Sequence, residues 1–192
     1  MLTVIIPTLN SERTLVPTLA MLVQGAMCGL VREVMVVDGG SIDATLEIAD
    51  GAGCTLATSP TVAPAALGAR LKAAAAAARA QWLLFLRPGT VLEATWLDEV
   101  ALFVEEAERE GDVRSVAVFR KQPSARAAYP SVVLLLALAP LRRAHPDQGL
   151  LIARALYDAI GGHSATADDP EAELLARLGR RRIVMLRSAA RR

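Results

Sequence analysis

Short, β-branched apolar runs alternate along this chain with longer stretches in which apolar residues recur every three or four positions. The runs at 2–6, 33–37, 54–57 and 82–86 are too short for helices and suit strands covered on both faces of a sheet. The stretches at 15–27, 43–50, 65–80 and 93–110 read as helices, the third by propensity alone, since residues 73–78 are all alanine. Proline is tolerated in the first turn of a helix and not beyond it, so Pro17 predicts that the first helix starts close to it. Gly111 stops the fourth helix, and a further strand is expected at 113–119. Periodicity is then poor as far as His145. The last third reads as a strand at 149–153, a short helix at 154–160 closed by Gly161-Gly162, a helix at 171–178 and a strand at 183–186. This alternation predicts an α/β fold, a mostly parallel central sheet flanked by crossover helices.

Composition narrows the classes. A chain of 192 residues can bury one core, so 1–192 is expected to be a single domain. A hydrophobic content of 53% with 21% charged residues describes an ordered globular protein. The net charge of +1 gives no reason to expect nucleic acid as a partner, although Arg180, Arg181, Arg182, Arg187, Arg191 and Arg192 form an acid-free basic tail. Such a tail is ordinarily a solvated end, and phosphate or an anionic membrane surface is its alternative partner. Cys28 and Cys54 make neither a disulfide framework nor a metal pattern, which fits a reducing, cytoplasmic compartment. Met1 leads directly into a strand with no secretion signal, and the apolar run at 132–139 is far short of the ~20 residues a spanning helix needs. A peripheral contact with the inner face of a membrane is the most that run implies.

Candidate chemistry collects where the second strand ends. Val36-Val37-Asp38-Gly39-Gly40-Ser41-Ile42-Asp43 puts a carboxylate at the C-terminal end of a buried strand, followed by a glycine turn and a helix start that Asp43 can cap. In open α/β sheets ligands bind at such ends, while a helix-capping role alone is equally compatible with these residues. Arg70, Lys72 and Arg79 stand out from the alanine-rich helix as side chains that can face a ligand. There is no G-x-G-x-x-G turn, no P-loop and no G-x-S-x-G elbow, and His145 and His163 have no evident nucleophile partner. Dinucleotide binding and triad hydrolysis are therefore disfavoured.

Two segments in order, Val4-Ile5-Ile6-Pro7-Thr8-Leu9-Asn10-Ser11-Glu12 and Val36-Val37-Asp38-Gly39-Gly40-Ser41-Ile42-Asp43-Ala44-Thr45, resemble the opening signatures of family 2 glycosyltransferases. The likeness is greatest to short bacterial members related to the arsenosugar-associated group. It continues through 83–86, Asp147-Gln148-Gly149-Leu150, Gly161-Gly162-His163 and 188–192. It implies a GT-A-type, Rossmann-like fold with a nucleotide-binding half at about 1–119 and an acceptor-side half at about 120–192. It further implies a nucleoside diphosphate sugar donor, an unknown acceptor and transfer with inversion, with a catalytically degenerate nucleotide-binding module as the alternative. Pro7, Thr8 and Glu12 would line the base and ribose pocket, Asp38 would hydrogen-bond the uracil or ribose, and Arg70 would lie near the diphosphate. The family usually holds a divalent metal on an acidic D-x-D-like turn. Here that place has Arg87-Pro88-Gly89-Thr90, which has no carboxylate, so no metal ligand is assigned and Arg87 is the expected diphosphate contact. The acidic pair that supplies the catalytic base corresponds to Asp168 to Glu171, with Glu171 as the base, Asp169 as its alternative, and plain helix capping as a further reading.

Overall fold

The computed structural model describes residues 1–57, 66–111, 114–122 and 144–192. They carry eight strands: β1 (Leu2–Thr8), β2 (Val31–Asp38), β3 (Thr55–Leu56), β4 (Trp82–Phe85), β5 (Val91–Leu92), β6 (Val116–Lys121), β7 (Leu150–Ala153) and β8 (Ile183–Arg191). Helices α1 (Glu12–Met27), α2 (Thr45–Gly51), α3 (Leu67–Ala77), α4 (Trp96–Glu110), α5 (Arg154–Ala159) and α6 (Pro170–Leu178) alternate with them, and 3-10 turns occupy Pro146–Gln148 and Arg180–Arg182.

One mixed sheet runs β3-β2-β1-β4-β7-β6-β8-β5. Its first four strands are parallel, as their apolar runs and crossover helices require. β7 then runs antiparallel to both β4 and β6, β8 is parallel to β6, and β5 is antiparallel to β8. Leu2, Val4, Ile5 and Ile6 are completely buried in β1. Each such aliphatic contributes about 1.5–3 kcal/mol, which fixes the strand ends as firm points from which loops project. Because β2, β1 and β4 are parallel neighbours, Asp38, Thr8 and the residues after Phe85 all leave the sheet at one edge.

Several boundaries differ from the sequence reading. α1 begins at Glu12 and contains Pro17 in its second turn. Pro17 and Arg13 lie on the exposed face, so water can satisfy the Arg13 carbonyl that the proline leaves without a donor. The two-residue β5 was not foreseen. β6 runs on to Lys121, and β8 extends to Arg191 because tertiary partners hold it: Glu93 accepts from the Ala189 N–H, while Glu99 accepts from the Arg187 and Ser188 N–H groups at a register shift. Among the described residues no helix is long and apolar enough to cross a membrane. The apolar run at 132–139, the loop at 59–64 and residue 113 lie outside the described residues.

Candidate active site

The loops after β1 and β2 are zippered to one another. The Asn10 N–H donates to Ser41 Oγ (2.8 Å) and the Ile42 N–H donates back to Asn10 Oδ1 (2.9 Å). One layer deeper, the Ser11 N–H donates to Thr45 Oγ1 (2.7 Å), the Glu12 N–H to Asp43 Oδ2 (3.1 Å), and the Ala44 N–H to Glu12 Oε2 (3.3 Å). Asp43 Oδ1 also accepts from the Thr45 N–H and hydroxyl. Small polar side chains suit this work because they bond backbone groups that leave regular structure. Asn10 itself adopts φ +48°, a conformation Asn tolerates better than most residues.

Asp38 sits at the centre of this corner. Its Oδ1 accepts from Thr8 Oγ1 (3.0 Å) and Ser41 Oγ (2.5 Å), and its Oδ2 from the Gly40 and Ser41 N–H groups (2.7 and 2.8 Å). Partial burial opposes its ionisation, but these four donors outweigh it and hold the carboxyl below its ordinary range. A carboxylate has about four acceptor positions, so protein donors occupy all of them. From α3, Arg70 Nη1 donates to the Asp38 carbonyl (2.6 Å) and lies over Gly39, where an added Cβ would meet it at 3.1 Å. Arg79 does not face this corner: its backbone N–H and side chain meet Glu33 at the start of β2. Lys72 is exposed.

Two strands along the same edge, β4 leads through Leu86 into Arg87-Pro88-Gly89-Thr90. Proline second and a glycine at φ +89° third, with the Thr90 N–H donating to the Arg87 carbonyl (3.1 Å), make a tight turn of the kind these residues favour. Buried Thr18 of α1 clamps it, accepting from the Gly89 N–H (2.9 Å) and donating to the Thr90 carbonyl (3.0 Å). The clamp fixes where Arg87 starts.

The Arg87 guanidinium meets three carboxylates: its Nε donates to Glu171 Oε2 (2.7 Å), Nη1 approaches Asp147 Oδ1 (3.5 Å), and Nη2 approaches Asp169 Oδ1 (3.5 Å). Asp147 is shared with Arg192 Nη1 (2.8 Å) and Lys121 Nζ (3.8 Å). Its turn is held by buried Gln148, whose amide donates to the Phe119 carbonyl (2.7 Å) and accepts from the His145 N–H (2.7 Å). Burial works against the Asp147 carboxylate, but Arg192 and Arg87 more than offset this and keep it below the usual range. Burial raises the Glu171 carboxyl above its ordinary value, opposed by Arg87. Asp169 is half exposed and caps α6 by accepting from the Ala172 N–H (3.0 Å). It also lines a cavity of about 600 Å³ with His145, Pro146, Leu175, Arg180 and Ile183.

This donor set does not fit a divalent metal. Such an ion takes several oxygens at about 2.0–2.6 Å, whereas here the carboxylates are spread around a fixed organic cation. Among the described residues, no group of three or more His, Cys, Asp or Glu side chains is arranged to hold one.

The sequence-assigned residues fall into two groups. Pro7, Thr8, Glu12, Asp38 and Arg70 meet at the corner of β1 and β2, where Glu12 caps the neighbouring loop; Arg87, Asp169 and Glu171 meet at the end of β4. Asp147, Lys121 and Arg192 were not assigned. The clues to Asp147 were its place in the Asp147-Gln148-Gly149-Leu150 likeness and an Asp between Pro146 and Gly149, which signals a fixed turn. Arg192 was visible only as part of the basic tail and of the 188–192 likeness, and nothing in the sequence near Lys121 points to it.

The family model described as glycosyl transferase family 2 matches residues 3–154. No curated protein matches the chain. Among solved structures, S. aureus TarS 1–349 is similar with a TM-score of 0.72 and 21% identity over 98% of this chain and 59% of that one. The same protein in complex with UDP-GlcNAc gives a TM-score of 0.71 and 22% identity over 100% and 58%. Glucosyl-3-phosphoglycerate synthase from Mycobacterium tuberculosis, in complex with Mn²⁺, UDP and glucosyl-3-phosphoglycerate, gives 0.66 and 22% over 100% and 72%. The chain thus spans about six-tenths of the TarS fragment, and at these identities the likeness is one of fold.

Proposed function

Because the chain belongs to glycosyl transferase family 2, with a mixed α/β sheet matching GT-A glycosyltransferases, we propose that it takes a nucleoside diphosphate sugar as donor and transfers the sugar to an acceptor hydroxyl with inversion. The observation that carries this reading is the placing of two constructed sites on one sheet edge. The zippered corner of Thr8, Asp38 and Arg70 and the Arg87 cluster are separated by two strand spacings, roughly 10 Å, a span a nucleoside diphosphate can bridge.

In this reading the nucleoside lies against Pro7, Thr8 and the 39–41 turn. Asp38 acts chiefly by holding that turn, because a base or ribose reaching its carboxylate has to displace Ser41 or Thr8. Arg70 and Arg87 face the diphosphate. The acceptor enters the cavity beside Asp169, whose half-exposed carboxylate takes the hydroxyl proton as the oxygen attacks the anomeric carbon. The bond from that carbon to the diphosphate breaks, and the leaving group departs with its charge toward Arg87. Glu171, buried and paired with Arg87, orients the guanidinium. Residues 1–119 serve the donor and 120–192 the acceptor.

A thermal-shift and calorimetric test with UDP and UDP-GlcNAc checks the donor half, since a ligand that binds the folded state raises its midpoint. UDP release in the presence of candidate acceptors checks transfer. Binding without any release across a broad panel would favour a nucleotide-binding module instead, a reading that the locked Glu171–Arg87 pair also supports.

A further inference from the structure

The end of the sheet away from the donor corner gathers arginines. β4 and β6 both run antiparallel to β7 and β8 runs parallel to β6, so β6 and β8 start at the sheet end opposite to Thr8 and Asp38. Val116 faces Ile183 across this pair, which sets the residues just before each strand side by side. Arg114 precedes β6, the 3-10 turn Arg180–Arg182 precedes β8, and all four arginines are exposed. No acid occurs from Arg180 to Arg192. Next to the turn, Val184 and Met185 are 44% and 49% exposed. Among the described residues, Ile183 to Met185 pair on one side only, with β6, because β5 reaches β8 no earlier than Ala190.

Charge guards a sheet edge against pairing, which accounts for the arginines and leaves the exposed Val and Met unexplained. Guanidinium groups beside half-exposed apolar side chains form the pattern of a segment at the boundary of water and lipid, where the cations meet anionic headgroups and the apolar groups enter the layer behind them. A nucleic acid would engage the arginines and leave Val184 and Met185 in water. The cavity of about 600 Å³ ends at the same place. α6 is nine residues long, about 13 Å, and the cavity follows it from Asp169 and Ala172 at its start to Gly179 and Arg180 past its end, with Ile183 in the wall.

We propose that the Arg180–Arg182 turn, Arg114 and the exposed side chains of Val184 and Met185 dock this end of the sheet on an anionic lipid surface. Docking there sets one end of the cavity beside the headgroups, while Asp169 lies at its other end. The docking does not depend on the donor or transfer reading above.

The test is cosedimentation of the full chain with vesicles of phosphatidylcholine alone and of equal parts phosphatidylcholine and phosphatidylglycerol. Wild type should bind the mixed vesicles and not the neutral ones, and salt at about 1 M, where charges are screened beyond about 3 Å, should release it. Arg181→Gln with Arg182→Gln should bind roughly thirtyfold more weakly, about fivefold for each charge near the surface, while Arg181→Lys with Arg182→Lys should bind as wild type does. Val184→Thr with Met185→Thr, which keeps β-branched side chains in the strand, should bind roughly tenfold more weakly. All of these positions are exposed, so each variant should keep the circular dichroism spectrum and melting midpoint of wild type. A wild type that ignores the mixed vesicles, or binds both kinds equally, overturns the proposal. So does vesicle binding that the glutamine pair leaves unchanged. A wild type that binds a single-stranded DNA oligonucleotide as tightly as the mixed vesicles, with vesicle binding indifferent to the threonine pair, has a general polyanion site, which also overturns it.

Discussion

Asp38→Ala removes the hub of the corner between β1 and β2. Four donors lose their acceptor: the hydroxyls of Thr8 and Ser41 and the N–H groups of Gly40 and Ser41. Gly40 is exposed and Ser41 partly so, which lets water replace much of what they lose, whereas Thr8 is only 4% exposed and its hydroxyl is stranded. A hydrogen bond to a charged group contributes about 1.5–3 kcal/mol, and with most donors rehydrated the net loss should be about 2 kcal/mol. In a chain of this length that lowers the thermal midpoint by roughly 4–8 °C. The pH dependence supplies a second readout. The folded pKa of Asp38 lies below its ordinary 3.8, so its contribution is fully present above the unfolded value and is lost as pH falls through the folded one. The difference between wild type and variant should therefore be constant from neutral pH down to about pH 4 and close below it. Melting curves by circular dichroism across that range check both. A midpoint within about 1 °C of wild type at pH 7, or a difference that does not narrow in acid, would refute the reasoning.

Gly68→Ala should destabilise by about 1–3 kcal/mol or more in chemical denaturation, because the new Cβ would lie 1.8 Å from the Ser164 carbonyl oxygen, and backbone cannot move aside as a side chain can. Asp169→Asn should cut turnover by roughly 10²–10⁴-fold while UDP affinity stays near wild type, the signature of a lost base. Glu171→Gln should instead weaken the fold, by about 3 kcal/mol, since it leaves the largely buried Arg87 without its nearest counter-charge; steady-state rates set against denaturation midpoints distinguish the two. His163 is 2% exposed, hydrogen-bonded through Nδ1 to Tyr157 (2.8 Å), and burial lowers its pKa from 6.5 to about 4. It contributes stability above pH 6.5 that is lost as pH falls toward 4, up to about 3 kcal/mol, and His163→Gln should flatten that slope in paired denaturation series.

The sequence by itself determined the apolar strands of the parallel half of the sheet and the corner in which β1 and β2 end. Runs such as 2–6 and 82–86 leave no room for a helix, and an Asp-Gly-Gly turn after a buried strand can be read locally because backbone conformation there depends on the residues themselves. The pairing of the two opening segments as signatures was legible too, but not its physical basis, which lies in reciprocal bonds such as Asn10 with Ser41 and Ile42. Tertiary structure decided whatever depends on distant partners. The helical pattern alone could not place Pro17 inside α1, because solvent exposure of the Arg13 carbonyl is set by how α1 lies on the sheet. Ser188 to Arg191 have no strong strand pattern and become strand through Glu93, Glu99, β5 and β6. The charge cluster is the clearest case. Arg87 was visible as a missing carboxylate, yet its three acidic partners lie 60 to 84 residues away, and only folding brings them within reach of one guanidinium. Coulomb attraction falls with distance in space and takes no account of separation along the chain, so no local pattern can encode it.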